Sequence, residues 1–153
     1  MNTCKRRHHS SFTTAVSSAA LIVALGCTGA HAVEANGYNA DVAAPVVASV
    51  WRSASTVDVT NGPATLRVST RITDATAVAA PFFYIENQAT GQSIYGMNPK
   101  LTSGTTQNGT WGIDFTIPQG SAPGQWEIRI GGLADTIGNS KYLSEPLSTF
   151  KVI

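Results

Sequence analysis

Two stretches decide the fold: Trp111-Gly112-Ile113-Asp114-Phe115-Thr116-Ile117 and Trp126-Glu127-Ile128-Arg129-Ile130. In each, every second residue is large and apolar, and small, polar or charged residues fill the places between. A period of two with one polar face is the pattern of a half-buried antiparallel strand. Residues 64–72 repeat it. There Leu66, Val68, Thr70 and Ile72 share one face, and Thr65, Arg67, Ser69 and Arg71 share the other. Trp111 and Trp126 alternate in phase with the apolar sets, so they belong to packing rather than to a ligand site. Leu66, Val68, Ile113, Phe115, Trp126, Ile128 and Phe150 are the expected core.

Weaker runs lie outward from these. Residues 46–51, 56–60, 82–87, 93–97 and 147–152 are rich in β-formers, and 82–87 is apolar on both faces. Asn61-Gly62-Pro63, Asn87-Gln88-Ala89-Thr90-Gly91 and Pro123-Gly124 punctuate them as turns. Residues 102–109, rich in Thr, Ser, Gly and Asn, read as a loop. No stretch of ten residues keeps a helical period. Seven or eight short strands at this spacing predict an all-β, antiparallel Greek-key sandwich.

The N-terminal segment differs in kind. Lys5, Arg6 and Arg7 precede a mostly apolar run over 15–25, and Ala30-His31-Ala32 places small residues at a leader-peptidase site. Residues 1–32 therefore read as a signal peptide, which predicts export to the periplasm or the exterior of a bacterial cell. The apolar run is shorter than the ~20 residues of a membrane-spanning helix, and no other run approaches that length. Ala24-Leu25-Gly26-Cys27 resembles a lipobox, which would make Cys27 a lipid anchor, but Ala24 stands where a branched residue is usual. Arg6-Arg7 fits a twin-arginine signal poorly, because His8 and His9 follow it. Residues 33–45, small and without periodicity, read as a flexible spacer before a domain at 46–153.

Composition sharpens this. The chain has 153 residues, 42% apolar and 8% aromatic, enough for a core. Its formal net charge of +1 gives no electrostatic case for nucleic acid. Both cysteines and all three histidines precede residue 33, so cleavage after Ala32 leaves a domain without Cys or His. That domain is disulfide-free. It has no Ser-His-Asp triad, no Cys-His dyad and no zinc site of the usual ligands. Its carboxylates are scattered singly along the chain, and neither Lys100 nor Lys141 sits in a Ser-Lys motif.

Several ordered segments resemble a bacterial extracellular Ig-like domain. They are Thr56-Val57-Asp58-Val59-Thr60-Asn61-Gly62-Pro63-Ala64, Ile72-Thr73-Asp74, Gly109-Thr110-Trp111, Ile117-Pro118-Gln119-Gly120 and Ala122-Pro123-Gly124-Gln125-Trp126. The last is Leu133-Ala134-Asp135-Thr136-Ile137-Gly138-Asn139-Ser140, similar to that family's Asp-x-x-Gly-Asn turn. The resemblance spans roughly residues 46–152. It implies a non-enzymatic accessory, adhesion or recognition role in a secreted or surface-attached protein. After Asp74 the chain reads Ala75-Thr76-Ala77-Val78, where the family usually has an acidic turn bearing Ser and Gly, and this weakens a metal site there.

Two candidate sites follow. Asp135 and Asn139, with Asp74 from a neighbouring loop, are calcium candidates. Calcium takes six to eight oxygen ligands, so two carboxylates and an amide need backbone or water to complete them. The competing reading has Asp135 and Asn139 capping a turn whose positive φ is supplied by Gly138. The second candidate is an aromatic face. Phe82 and Tyr84 alternate with Phe83 and Ile85, and Trp51 and Tyr95 could join the exposed pair. The expected function is an exported, non-enzymatic binding or adhesion module with a protein or glycan partner and no assigned cofactor. The alternatives are a structural spacer or envelope-assembly module, and a small hydrolase.

Overall fold

The computed structural model describes residues 41–153. The leader 1–32, Cys27 and residues 33–40 of the expected spacer lie outside the described residues. Among the described residues, all regular structure is β: β1 Val46–Arg52, β2 Thr56–Val57, β3 Ala64–Thr73, β4 Phe82–Asn87, β5 Gln92–Tyr95, β6 Lys100–Gly104, β7 Asn108–Ile117, β8 Gly124–Ala134, β9 Ser140–Lys141 and β10 Ser148–Val152. No helix among these residues is long and apolar enough to cross a membrane.

The strands form two sheets. One runs β1-β3-β7-β6; the other runs β2-β10-β8-β4-β5, with β9 on the end of β8. The pairings are antiparallel, except that β2 lies parallel to β10. The three clean alternations become the long strands. β3 and β7 pair without interruption from Ala64↔Ile117 to Thr73↔Asn108. Leu66, Val68 and Ile72 of β3 meet Ile113, Phe115 and Ile117 of β7 in one inner layer, and Phe83, Ile85, Trp126, Ile128, Ile130, Phe150 and Val152 form the other. Every expected core residue is buried. Continuous register follows from burial, because slipping by one residue would turn the apolar set to solvent.

The outer strands were harder to read. Residues 102–109, expected as a loop, lie in a hairpin: β6 pairs with β7 and leaves Thr105-Thr106-Gln107 at the tip. β6 is exposed at every position, so it has no buried face to impose a period. β9, two exposed residues, escaped for the same reason. Residues 82–87 looked apolar on both faces, but Phe83, Ile85 and Asn87 point inward, and Phe82 is 46% exposed.

The alternation of β8 slips at its end. Ile130 is buried, Gly131 and Gly132 are both exposed, and Leu133 is buried again. The register with β4 passes from Phe82↔Gly132 to Phe83↔Ile130, so Gly131 is the extra residue of a β-bulge.

One pair of inner residues violates the rule that buried polar groups are hydrogen-bonded. Thr70 and Trp111 face each other across β3 and β7, and neither Thr70 Oγ1 nor Trp111 Nε1 has a partner. Thr70 is fully buried. Replacing a partnerless hydroxyl with a methyl removes a desolvation cost, so Thr70→Val raises stability by about 1 kcal/mol. Urea denaturation checks it, and a loss of stability would show that the hydroxyl is hydrogen-bonded in solution.

Candidate functional site

The outer face of the second sheet divides into an aromatic half and a polar half. Side chains two apart on a strand share a face, and directly paired residues stand side by side. Phe82, Tyr84 and Glu86 of β4 therefore project outward together. Tyr95 of β5 pairs with Tyr84, and Arg129 and Glu127 of β8 pair with Tyr84 and Glu86.

In the aromatic half, ring centroids lie 6.3 Å apart for Phe82–Tyr84, 5.9 Å for Phe82–Tyr95 and 6.2 Å for Tyr84–Tyr95. The first two pairs are within 27° and 23° of parallel. Gly131 lies beneath them. A Cβ at that position would fall 2.8 Å from Phe82 Cδ1 and 3.6 Å from Tyr84 Cε1. Both rings thus lean over bare backbone, which only glycine leaves open. Tyr95 is 60% exposed. Tyr84 is more enclosed, and its hydroxyl is harder to ionise than usual, through burial first and then the charge of Glu86 and the nearby Tyr142.

In the polar half, Glu86 and Glu127 face each other as a like-charged pair. Arg129 bridges them, with 2.7 Å contacts to each. Gln88 Nε2 donates to Glu86 at 2.7 Å and to Glu127 at 3.3 Å. Arg129 also donates to the carbonyl of Ser144 at 2.9 Å, so the network is fixed to the loop behind it.

Of the four predicted ring residues, Phe82, Tyr84 and Tyr95 come together. Trp51 does not: it pairs with Ser69 on the first sheet and points from that sheet's outer face. It is exposed, but it is not part of the patch. The rest of the face carries no sequence signal of a site: Arg129 and Glu127 read as the polar side of an alternating strand, and Glu86, Gln88 and Gly131 have no pattern that joins them to it.

The calcium candidates converge as well. The carboxylates of Asp74, Asp135 and Asp41 offer oxygens within 4.8 Å of one another. Asp41 falls within the expected spacer. Asp135 is 96% removed from solvent and heavily committed. Its Oδ1 accepts from the backbone N–H groups of Ile137, Gly138 and Asn139 at 3.0, 2.7 and 2.8 Å, and its Oδ2 accepts from Asn139 Nδ2 at 2.7 Å. Asn139 Nδ2 also donates to the carbonyl of Asp41 at 2.8 Å. Gly138 takes φ +103° and closes the turn. These bonds accomplish turn closure, as the capping alternative expects.

Asp41 and Asp74 titrate in opposite directions. The backbone N–H of Ala43 and then the Thr76 hydroxyl hold Asp41 below the usual carboxylate range. Burial pushes Asp74 up, and the charges of Asp41 and Asp135 add to that. A carboxylate whose folded value is raised costs stability when ionised and recovers it as pH falls through that value. Asp74→Asn keeps an acceptor for Thr76 N and removes the charge. It therefore melts higher than the wild type at pH 7, and the two converge below about pH 4. Calcium binding would reverse the ranking: millimolar calcium would raise the wild-type melting temperature, and Asp74→Asn would abolish that rise.

No family model matches this chain, and neither do any curated protein or solved structure.

Proposed function

We propose that this protein is an exported Ig-like module that works by binding, without catalysis, through the outer face of the β4–β5–β8 sheet. The exposed cluster of Phe82, Tyr84 and Tyr95 carries the reading. A cluster of exposed aromatic rings, unlike apolar residues scattered singly, is the kind of surface that binding sites use, and this supports the reading. Strand order supports the Ig-like assignment. The orders β1-β3-β7-β6 and β10-β8-β4 are those expected if these strands correspond to A, B, E and D and to G, F and C of an Ig-like sandwich. Export rests on the leader pattern at 1–32.

The assembly alternative would use an open sheet edge to accept a strand. The long edges are guarded against this. β1 carries a bulge between Val47 and Ser49, and β6 carries Lys100 and a bulge between Leu101 and Ser103. The remaining edge strands, β2 and β5, span two and four residues.

The test is a glycan array together with a pull-down from native envelope, comparing the wild type with Phe82→Ser and Tyr95→Ser. Both side chains are half exposed, so the variants fold. Retention by the wild type and at least tenfold weaker retention by the variants is the expected result. No retention by either, with melting temperatures intact, would favour the spacer reading.

A further inference from the structure

Resting on that reading of the face, we propose that the ligand is a neutral carbohydrate with flat sugar faces, of the β-1,4-linked hexopyranose type. Its C–H faces lie on Phe82, Tyr84 and Tyr95, and its hydroxyls reach the Glu86–Arg129–Glu127–Gln88 network.

Three observations lead to this chemistry. The first is shape. Phe82 is within about 30° of parallel to both tyrosines, at centroid spacings near 6 Å. Tyr84 and Tyr95 are tilted by 42° to each other. Rings that close around a cation stand across one another, whereas Phe82 runs close to parallel with both tyrosines and the three build no cage. A chain of equatorially linked pyranoses is a ribbon whose axial C–H groups make its faces apolar, and such a face needs a platform rather than a cage. Gly131 keeps the platform low by letting two rings lean over the backbone of β8.

The second is extent. An aromatic side chain carries about 150–250 Å² of surface. With Phe82 46% and Tyr95 60% exposed, and Tyr84 less so, the three rings offer about 300 Å² in all. A specific protein partner needs about 800 Å² from each side. The platform fits one or two sugar residues.

The third is charge. Arg129 lies between Glu86 and Glu127, so the polar half is net negative by one. That disfavours sulfated or uronate polymers. Paired carboxylate oxygens, a guanidinium and an amide held in one network supply the kinds of acceptor and donor that vicinal hydroxyls require.

The experiment uses affinity electrophoresis in hydroxyethylcellulose and titration calorimetry with cellohexaose and chitohexaose. Sodium polygalacturonate is the anionic control. Two glycine variants locate the site without replacing any of the rings. Gly131→Ala places a Cβ 2.8 Å from Phe82 Cδ1, and the half-exposed ring must move. Gly132→Ala, the adjacent exposed residue of the bulge, places its Cβ in open space. The expected result is binding of a neutral glycan by the wild type and Gly132→Ala, at least tenfold weaker binding by Gly131→Ala and Tyr95→Ala, and no binding of polygalacturonate. Glycan binding that Gly131→Ala and Tyr95→Ala leave unchanged would put the site elsewhere and overturn the proposal, as would equal binding of polygalacturonate. If the wild type binds none of the neutral probes at millimolar concentration but captures an envelope component that Tyr95→Ala loses, the carbohydrate assignment falls and the binding face stands. If neither occurs, both fall.

Discussion

Trp126→Ala will lose about 3–5 kcal/mol of stability, a range set by large-to-small changes in packed cores. Trp126 has no solvent exposure. It lies in β8 directly opposite Phe150 of β10, with ring centroids 6.2 Å apart. Its Nε1 donates to the carbonyl of Ala122 at 2.9 Å, which fastens the turn before β8 to the strand. The variant therefore opens a cavity and strands a carbonyl at once. A domain of this size has about 5–15 kcal/mol in total, so Trp126→Ala will be marginal at 37 °C. Trp126→Phe retains a ring against Phe150 but loses the hydrogen bond and some volume, at a cost of about 2 kcal/mol. Urea denaturation at pH 7 measures both. A loss below 1 kcal/mol in the alanine variant would mean that the sheets close over the gap and that Trp126 is not their central contact.

Asp135→Ala carries the second large effect, about 3 kcal/mol. One buried carboxylate accepts four hydrogen bonds, three of them from consecutive backbone N–H groups. Leaving such donors without a partner costs about 1–3 kcal/mol each, reduced here by whatever water can enter. The turn also anchors its neighbours: Thr136 N donates to the carbonyl of Ala77 at 2.8 Å, and Val78 bridges to Asp135. Asp135→Asn keeps an oxygen in the same place and relieves the crowding of Asp41, Asp74 and Asp135, so its cost is about 1 kcal/mol. Chemical denaturation gives the totals. Hydrogen exchange locates the effect, because the amides of Ile137, Gly138 and Asn139 lose protection only in the alanine variant. Equal losses in the two variants would show that the negative charge, and not the acceptor, holds the turn.

The candidate sites show how far local pattern reaches. Phe82 and Tyr84 could be paired from the sequence, because strand alternation is local. Tyr95 could be suspected but not placed, since its position beside Tyr84 depends on the β4–β5 register. Trp51 shares with them only its aromatic ring, and its strand belongs to the other sheet. Asp135 and Asn139 were visible as one turn. Asp41 was not visible, because it reaches that turn from 94 residues earlier in the chain.

By itself, the sequence determined an all-β domain without Cys or His, its long strands and its buried tryptophans. The absence of Cys and His is composition alone; the strands and the buried tryptophans follow from neighbours one to ten residues apart, through a period of two enforced by burial. Tertiary structure decided which exposed residues meet. It gathered three rings over Gly131, placed Arg129 between two glutamates, and brought three aspartates to one turn. Surface residues carry no burial pattern to announce them, and their partners are set by sheet order and by a single-residue bulge.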